Sequence, residues 1–398
     1  MIRTYNEINR KIDDGDVVVL TKNEFLNLVE SKGIEKCSKD VDVVTTGTFG
    51  PMCSSGVFLN VGHTTPRIKL GGGKIVLNGV PAYSGIAAVD LYLGATAVRE
   101  NGFTGNRNIS QYGGGHVIHD LIAGNDIKIE AEAKGTDCYP KKKLDTFINI
   151  KEINEAILCN PRNAYQNYNC AVNVSNKTLY TYMGVLKPNL GNATFSSAGE
   201  LSPLLNDPLY KTIGIGTRIF LGGGIGYVFS NGTQHNPEVK RGTNDVPIAP
   251  AGTIAVTGNL KKMHPDWLVG ISLRDYGTSL KVGIGIPIPI LNIDIARHVA
   301  VRNIDLFTQI VDYSRGYPNG LSENLGTVSY ADLYNGDIKI NSKNVPTTNL
   351  SSHRKAMEIT RILKEWILSK RMKLTEPLEI LPSIGSGYFQ KSLDERKH

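Results

Sequence analysis

Cys53 lies in the stretch GTFGPMCSSG, whose residue types favour a reactive thiol. Glycine and proline after a strand allow a sharp turn, in which backbone N–H groups converge on one point. If Ser54 and Ser55 open a helix, the positive end of its dipole stabilises the Cys53 thiolate. A thiolate attacks sulfur or carbonyl carbon and binds metals, so Cys53 is the first catalytic candidate. The alternative is an inert cysteine in a tight turn.

Cys138 is the second candidate, in the stretch AKGTDCYPKKK. It follows a strand-like run and precedes Lys141, Lys142 and Lys143, and neighbouring cations stabilise a thiolate. Asp137 beside it either holds the thiol's partner in place or caps a turn. The alternative for Cys138 is a loop cysteine beside a solvated basic turn.

The remaining cysteines, Cys37, Cys159 and Cys170, have weaker settings and are predicted to be structural. An odd number of widely spaced cysteines without C-x-x-C argues against a disulfide framework and against zinc-ribbon or thioredoxin motifs. The first 20 residues are charged, and no apolar run reaches the ~18–20 residues of a membrane span. The sequence therefore predicts a cytoplasmic protein without membrane association.

The net charge of +7 comes from basic residues that are spread along the 398-residue chain. Without a basic arm or an arginine-rich helix, nucleic-acid binding is not favoured. An anionic small substrate or an acidic protein partner fits this balance equally well.

A βαβ unit is predicted to position Cys53. A helix with Tyr5 and Ile8 on its apolar face is followed by a strand at 16–20. A second helix begins with the capping-box pair Thr21 and Glu24, and a second strand covers 41–46. Such a unit is parallel and right-handed, and open α/β sheets bind ligands at the carboxyl ends of their strands. The Cys53 loop leaves that end.

Clusters of glycine between short β-branched runs predict an α/β fold with a glycine-rich, strand-rich core; a mixed α+β fold is the alternative. Further strands are predicted at 74–77, 127–131, 212–220, 253–256 and 280–286, and helices at 85–99 and 150–158.

The C-terminal region predicts a docking helix at 352–371, capped by Ser351 or Ser352. Its apolar residues recur at three and four positions, as in a helix with one buried face. We therefore expect a catalytic domain at 1–345, in one or two subdomains, and a C-terminal helix with a frayed tail at 346–398.

Seven separated blocks together resemble one known family, the homocysteine-biosynthesis family of sulfur-incorporating enzymes, or L-aspartate semialdehyde sulfurtransferases, of methanogens and other anaerobes. The resemblance runs from about residue 3 to about residue 375. The blocks are GTFGPMCSSGVFLNVGHTTPRIK, PAYSGIAAVDLYLGAT, YGGGHVIHDLIAG, AKGTDCYP, NPRNAYQNYN, IFLGGGIGYV with GTQHNP, and APAGTIAVTGNLKKM.

The resemblance implies conversion of the aldehyde of aspartate semialdehyde into the thiol of homocysteine, by sulfur insertion and two-electron reduction. The family's essential cysteine matches Cys53 and its second motif cysteine matches Cys138. Cys53 is then expected to carry a persulfide or to present sulfide from a donor, and Cys138 to resolve the persulfide by forming a disulfide. The resemblance also implies a ferredoxin-like iron–sulfur partner. Regulatory nucleotide-binding modules found in many members are not expected here.

Other residues in these blocks become candidates for proton transfer and substrate binding. His63 and His116 are candidate acid–base groups, as is His235, which is also a candidate for substrate binding. Arg67, Lys69 or Arg162 suits the substrate carboxylate, and Ser54 and Ser55 are further substrate-binding candidates. The backbone amides of Gly222, Gly223, Gly224 and Gly226 suit a developing oxyanion, or form a plain turn.

Several alternatives stay open at the level of sequence. Cys53, Cys138 and one further cysteine are candidate ligands of an iron–sulfur cluster, although their spacing matches no local cluster motif. No flavin, NAD or PLP is expected, because neither GIGTRIF nor GGGIGYV makes the dinucleotide fingerprint. A thiol-redox or persulfide carrier without a carbonyl substrate, or a cofactor-assembly protein, is the alternative function, and a homodimer is compatible with the sequence.

Overall fold

The computed structural model describes residues 3–99, 111–315, 324–393 and 395–396. Within these residues the helices are α1 (Tyr5–Asp14), α2 (Lys22–Lys32), α3 (Ile34–Asp40), α4 (Gly114–Ile122), α5 (Pro203–Asn206), α6 (Ile293–Val299), α7 (Tyr330–Tyr334) and α8 (His353–Leu368). None of these helices has the length and apolarity that a membrane crossing requires.

The strands of the first half of the chain are β1 (Val19–Thr21), β2 (Val43–Pro51), β3 (Gly56–Asn60), β4 (Lys74–Leu77), β5 (Val80–Ala82), β6 (Asp90–Gly94), β7 (Ile127–Glu132), β8 (Lys143–Ile148), β9 (Glu155–Asn163), β10 (Cys170–Val172), β11 (Leu179–Thr181), β12 (Gly184–Leu186) and β13 (Ala193–Phe195). Those of the second half are β14 (Gly214–Ile215), β15 (Arg218–Leu221), β16 (Gly224–Asn231), β17 (Ile254–Asn259), β18 (Leu268–Leu273), β19 (Gly277–Pro289), β20 (Phe307–Asp312), β21 (Asn324–Ser329), β22 (Asp337–Ile340), β23 (Lys343–Asn349) and β24 (Glu379–Ile380).

The N-terminal unit confirms the predicted parallel βαβ arrangement, since β1 and β2 pair in parallel. Thr21 caps α2 in a capping box with Glu24, as its sequence pattern predicts. The structure adds α3, which continues from Gly33 and which the sequence pattern did not reveal. The crossover therefore contains two helices before the chain enters β2.

The largest sheet has the strand order β1-β2-β19-β15-β16-β17-β9-β3-β6, and β18 pairs with β19 beside this path. Apart from the β1–β2 pair, its neighbours are antiparallel. The fold is therefore mixed α/β: this sheet has one parallel pair, β1–β2 at its edge, and β10–β20 and β13–β23 pair in parallel in a second sheet.

Two helices predicted from the sequence are wrong. The region 85–99 contains β6, and 150–158 leads into β9. Both strands flank β3 in the sheet, where their alternate residues are buried. Pairing with a distant strand overrides the local helical spacing of their apolar residues.

Helix α8 covers the strands that lead to Cys53 and confirms the predicted docking helix. Ser352 caps it, and Ile359, Leu363 and Trp366 are buried in a core with Phe49 of β2. The helix lies so close to the sheet that a Cβ on Gly47 would come within 2.7 Å of the Ala356 carbonyl. Strand β2 thus needs glycine at position 47, because α8 leaves no room for a side chain there.

The described residues also form four smaller sheets, of which β11-β12 and β14-β24 have two strands each. The sheet β21-β20-β10-β13-β23-β22 has its own core, centred on Phe195 and Tyr330. The sheet β5-β4-β7-β8 contains the hairpin at whose tip Cys138 lies.

Candidate active site

Cys53 occupies a β-turn between β2 and β3. The Ser55 N–H donates to the Met52 carbonyl at 3.1 Å, and the Ser55 hydroxyl donates to the same oxygen at 2.7 Å. Since β3 begins at Gly56, Ser54 and Ser55 do not open a helix, and the condition for a helix dipole at Cys53 is not met. No helix dipole acts on this thiol from Ser54 and Ser55.

Buried polar contacts hold this turn in place. The Asn160 side chain, fully buried on β9, donates to the Ser55 hydroxyl at 2.7 Å. The Met52 N–H donates to Leu280 at 2.8 Å and the Ala95 N–H to Ser55 at 2.8 Å. Ser55 is 1% exposed, so its side chain supports the turn from inside.

The Cys53 sulfur has a specific hydrogen-bond donor. The hydroxyl of Ser279, buried in β19, donates to Sγ at 3.2 Å. The thiol itself is partly exposed. The donor sits on a central strand, which makes its position rigid.

Cys53 and Ser54 line a cavity of about 470 Å³ at the carboxyl end of β2, within the usual size range of small-molecule sites. Among the described lining residues, Arg162 is the only one with a formal charge at neutral pH. Its guanidinium forms no ion pair with a described carboxylate. The cavity therefore suits a small anion.

Four tyrosines form much of the remaining wall: Tyr165, Tyr168, Tyr182 and Tyr276. Their rings contact one another edge-on, with centroids 5.1 Å apart for Tyr165 and Tyr168 and 6.2 Å for Tyr182 and Tyr276. The wall also includes Ser196 and Ser351, whose hydroxyls lie 3.0 Å apart. Gly50 permits this approach, because a Cβ there would come within 2.4 Å of the Ser351 hydroxyl.

Sequence reasoning missed most of these wall residues. Tyr165 and Tyr168 belong to the block NPRNAYQNYN, in which only Arg162 was considered. Tyr182 and Ser279 lie outside all seven blocks. The one available signal was the density of tyrosines between positions 165 and 182.

Cys138 lies elsewhere, at the exposed tip of the β7–β8 hairpin. Thr136 and Tyr139 exchange backbone hydrogen bonds of 2.9 and 3.1 Å around it, and the Thr136 hydroxyl lies 3.7 Å from its sulfur. Cys138 does not line the cavity, and neither it nor Cys53 is in a disulfide.

Two other predicted residues accompany Cys138. The His63 ring stacks on Tyr139 with centroids 5.6 Å apart, and the Arg67 carbonyl accepts from the Lys141 N–H at 3.2 Å. His63, Arg67 and Lys69 are exposed and do not line the cavity. Cys53 precedes β3 and His63 follows it, and a strand of five residues spans about 16 Å. His63 and Arg67 thus lie with Cys138 and not with Cys53.

His116 and His235 have local partners of their own. His116 Nδ1 accepts from the Gly113 N–H at 3.2 Å at the start of α4, and burial lowers the pKa of its ring. His235 is 0% exposed; its Nδ1 contacts Thr253 and its Nε2 lies 2.7 Å from the Pro382 carbonyl. The neighbouring Gln234 lines the cavity instead.

The glycine cluster forms the hairpin turn between β15 and β16. Gly222 and Gly223 have φ of 58° and 92°, which favour glycine, and Leu221 pairs with Gly224 across the turn. The Gly222 N–H donates to Gly283 at 2.8 Å, and Gly226 is a paired strand residue. None of these glycines lines the Cys53 cavity.

The three other thiols show the features of structural cysteines. Cys37 and Cys170 are fully buried, and burial raises the pKa of Cys170 to about 12. Burial also raises the pKa of Cys37 and of Cys159. Across the described ranges, no three His, Cys, Asp or Glu side chains are grouped as ligands of a metal ion. Cys53 and Cys138 therefore have no third ligand here, and the cluster alternative stays a prediction.

Comparison with known proteins agrees with the resemblance seen in the sequence. The family described as "Homocysteine biosynthesis enzyme, sulfur-incorporation" matches residues 17–374. The L-aspartate semialdehyde sulfurtransferase of Methanosarcina acetivorans is 49% identical over 389 residues, which are 98% of this chain and 74% of that protein. The L-aspartate semialdehyde sulfurtransferase of Methanocaldococcus jannaschii is 44% identical over 96% of this chain and 74% of its own.

More distant similarity extends to an uncharacterised protein of Methanothermobacter thermautotrophicus, 25% identical over 85% of this chain and 73% of that protein. No solved structure gives a significant match. The family match and the two relatives above 40% identity each cover most of the chain. The chain therefore belongs to the family of sulfur-incorporating homocysteine biosynthesis enzymes.

Proposed function

We propose that this chain is a sulfurtransferase that converts L-aspartate semialdehyde into L-homocysteine, with Cys53 as the residue that presents the sulfur. The names of its two close relatives support the reaction. The main structural support for the site is the position of Cys53. It lines a cavity that suits a small anion, and its sulfur accepts a hydrogen bond of 3.2 Å from Ser279. In this proposal Cys53 is the nucleophile, and Arg162, which lines the same cavity, is the group that binds the carboxylate.

Arg162 holds the substrate carboxylate in this proposal. Its guanidinium is the charged group of the described cavity wall, and its planar donors match a carboxylate in pairs. The Arg162 N–H donates to the Asn160 side chain at 2.9 Å, so the residue that fixes the Cys53 turn also fixes this backbone. The substrate would thus be bound at one end and attacked at the other.

The chemistry requires sulfur and electrons in fixed amounts. Addition of HS⁻ and a proton to the aldehyde gives a hemithioacetal; loss of water gives a thioaldehyde, and two electrons with two protons give the thiol. If Cys53 carries the sulfur as a persulfide, cleavage of its S–S bond takes two further electrons. An iron–sulfur protein of the ferredoxin class is the proposed electron donor.

Cys138 is proposed as the thiol that resolves the persulfide. Its attack on the Cys53 sulfur that bears the persulfide would release HS⁻ and form a Cys53–Cys138 disulfide, which the electron donor then reduces. In the present conformation Cys138 does not line the cavity, so this role requires the hairpin tip to move. Its exposure makes it accessible to a partner.

The test is an anaerobic assay with aspartate semialdehyde, sulfide and dithionite, in which homocysteine is measured by mass spectrometry. The native chain is expected to form homocysteine, and Cys53→Ser to form at least about 100-fold less, because the residue that presents the sulfur to the aldehyde is lost. Full activity of Cys53→Ser would refute the role of Cys53. Persulfide formation on Cys53 from a sulfane-sulfur donor supplied in place of sulfide and dithionite, without homocysteine, would favour a persulfide carrier.

A further inference from the structure

The Cys53 cavity must supply protons as well as bind the substrate. The aldehyde oxygen takes up a proton when sulfur adds, and the resulting hydroxyl takes up another when it leaves as water. Among the described residues that line the cavity, none is His, Asp, Glu or Lys. Besides the thiol, the most acidic side chains of this wall are tyrosine phenols, whose ordinary pKa is about 10.

Two of these tyrosines belong to a continuous chain of hydrogen bonds. The Tyr168 hydroxyl donates to the Tyr182 hydroxyl at 2.6 Å, and the Tyr182 and Tyr313 hydroxyls lie 3.0 Å apart. The Tyr313 hydroxyl donates to Asn169 Oδ1 at 2.7 Å. Since that oxygen only accepts, Tyr313 donates to it and Tyr182 donates to Tyr313. The chain is therefore ordered from Tyr168 at the cavity to Asn169 in the interior.

The surroundings keep the middle of this chain protonated. Burial, followed by the neighbouring hydroxyls of Tyr168 and Tyr313, raises the pKa of Tyr182 far above its ordinary value. Tyr313 is 6% exposed, and its side chain does not line the cavity. Tyr182 is thus held as a neutral phenol, which can donate a hydrogen bond to a neighbouring anion.

We propose that Tyr168 is the acid that protonates the substrate oxygen, and that Tyr182 and Tyr313 are positioning residues that stabilise its phenolate. This inference rests on the proposed function and adds the proton path to it. When Tyr168 gives up its proton, Tyr182 turns to donate to Tyr168, and Tyr313 turns to donate to Tyr182. Two donors in series then support one phenolate.

Tyr168 alone can make each proton transfer of the addition and the dehydration. As the C–S bond forms from HS⁻ and the C=O π bond breaks, the oxygen takes the Tyr168 proton. The Tyr168 phenolate then takes the S–H proton of the hemithioacetal and gives it to the hydroxyl. That hydroxyl leaves as water while the C=S bond forms. Solvent reprotonates Tyr168, and the external electron donor supplies both electrons of the final reduction.

Three variants test this proposal in the anaerobic assay: Tyr168→Phe, Tyr182→Phe and Tyr313→Phe. Loss of general acid catalysis usually costs about 10²- to 10⁴-fold, so we expect kcat of Tyr168→Phe to fall at least about 100-fold with KM within about threefold. We expect Tyr313→Phe, one step removed, to lower kcat about 3- to 10-fold. It should also shift the alkaline limb of the kcat–pH profile to higher pH, because the phenolate loses a donor.

The matched control is Tyr227→Phe, a tyrosine 41% exposed on β16 that does not line the cavity. Its kcat and pH profile should equal those of the native chain. Native-like kcat for Tyr168→Phe, with the native chain active, would overturn the tyrosine path alone. An unshifted pH profile in Tyr313→Phe would overturn the positioning role. A native chain that forms no homocysteine under these conditions would overturn the proposed function and this inference together.

Discussion

Ser279 and Cys53 lie 226 positions apart in the sequence, yet the Ser279 hydroxyl donates to the Cys53 sulfur at 3.2 Å. The contact exists because β19 runs antiparallel to β2 and brings Lys281 opposite Pro51, just before the Cys53 turn. Strand β19 thus supplies a hydrogen-bond donor to the Cys53 thiol. No local sequence pattern indicates this donor.

The first prediction concerns this hydrogen bond. In Ser279→Ala the Cys53 thiolate loses its donor, and hydrogen bonds to charged groups contribute about 1.5–3 kcal/mol, or roughly tenfold or more in rate. We expect iodoacetamide to alkylate Cys53 about tenfold more slowly at neutral pH, as followed by peptide mass spectrometry. Cys138 in the same sample is the internal control, since it lies at the tip of the β7–β8 hairpin and its sulfur lies near the Thr136 hydroxyl instead of Ser279. Equal slowing of both thiols would contradict the prediction.

The second prediction concerns recognition of the carboxylate. Arg162→Gln removes the charged group of the described cavity wall, so we expect KM for aspartate semialdehyde to rise about 10- to 100-fold with a smaller change in kcat. Arg162→Lys should recover part of the affinity, because lysine keeps the charge and loses the planar pair of donors. Arg67→Gln is the comparison, since Arg67 is exposed and outside the cavity. A larger KM effect at Arg67 than at Arg162 would reverse the assignment.

The third prediction separates the two candidate cysteines. With sulfide supplied directly, we expect Cys138→Ser to keep homocysteine formation within about threefold, because no persulfide needs to be resolved. With a persulfide donor as the sulfur source, the same variant should lose at least about tenfold. Cys53→Ser should fail under both conditions. Equal activity of Cys138→Ser with both sulfur sources would exclude the resolving role.

The sequence predicts the framework around Cys53 better than it predicts the cavity wall. Capping boxes and apolar spacing are local, and they correctly place α1, α2, α8 and the parallel pair β1–β2. The pattern at Cys53 leaves open whether Ser54 and Ser55 begin a helix. Serine after a turn suits a helix cap, but here Asn160 and Met52 bind the Ser55 hydroxyl and the chain continues as β3.

The cavity wall depends on long-range pairing. Arg162, Tyr182 and Ser279 reach the same space from three separate parts of the chain, and only Arg162 stood among the sequence candidates. His235 and Gln234 illustrate the limit: both belong to the block GTQHNP, and only the structure distinguishes the buried side chain from the one at the cavity. A histidine is a typical acid–base residue, but the ring nitrogens of His235 contact the backbone carbonyls of Thr253 and Pro382.

The fourth prediction concerns Asn160, which ties β9 to the Cys53 turn. Asn160→Ala leaves the Ser55 hydroxyl without its buried donor, so we expect the free energy of unfolding to fall by about 1–3 kcal/mol. Activity should fall as well, because the turn that holds Cys53 loosens. Urea unfolding followed by circular dichroism checks the first effect and the anaerobic assay the second. Unchanged stability together with unchanged activity would show that the turn does not depend on Asn160.

The last prediction concerns Lys22, a lysine 0% exposed at the start of α2. Its ammonium donates to the carbonyls of Val299 and Val301 and to Asn206, and burial lowers its pKa to about 7. An unfolded lysine has a pKa near 10.4, so between about pH 7 and pH 10 the unfolded chain binds a proton that the folded chain has released. Stability contributed by this group therefore rises with pH across that window. We expect the difference in free energy of unfolding between the native chain and Lys22→Met, measured in urea at pH 7, 8 and 9, to grow in favour of the native chain. The control is Lys36→Met, at an exposed position of α3, which should keep the pH dependence of the native chain. If the free energy of unfolding of Lys22→Met changed with pH as it does in the native chain, Lys22 would stay charged in the folded state.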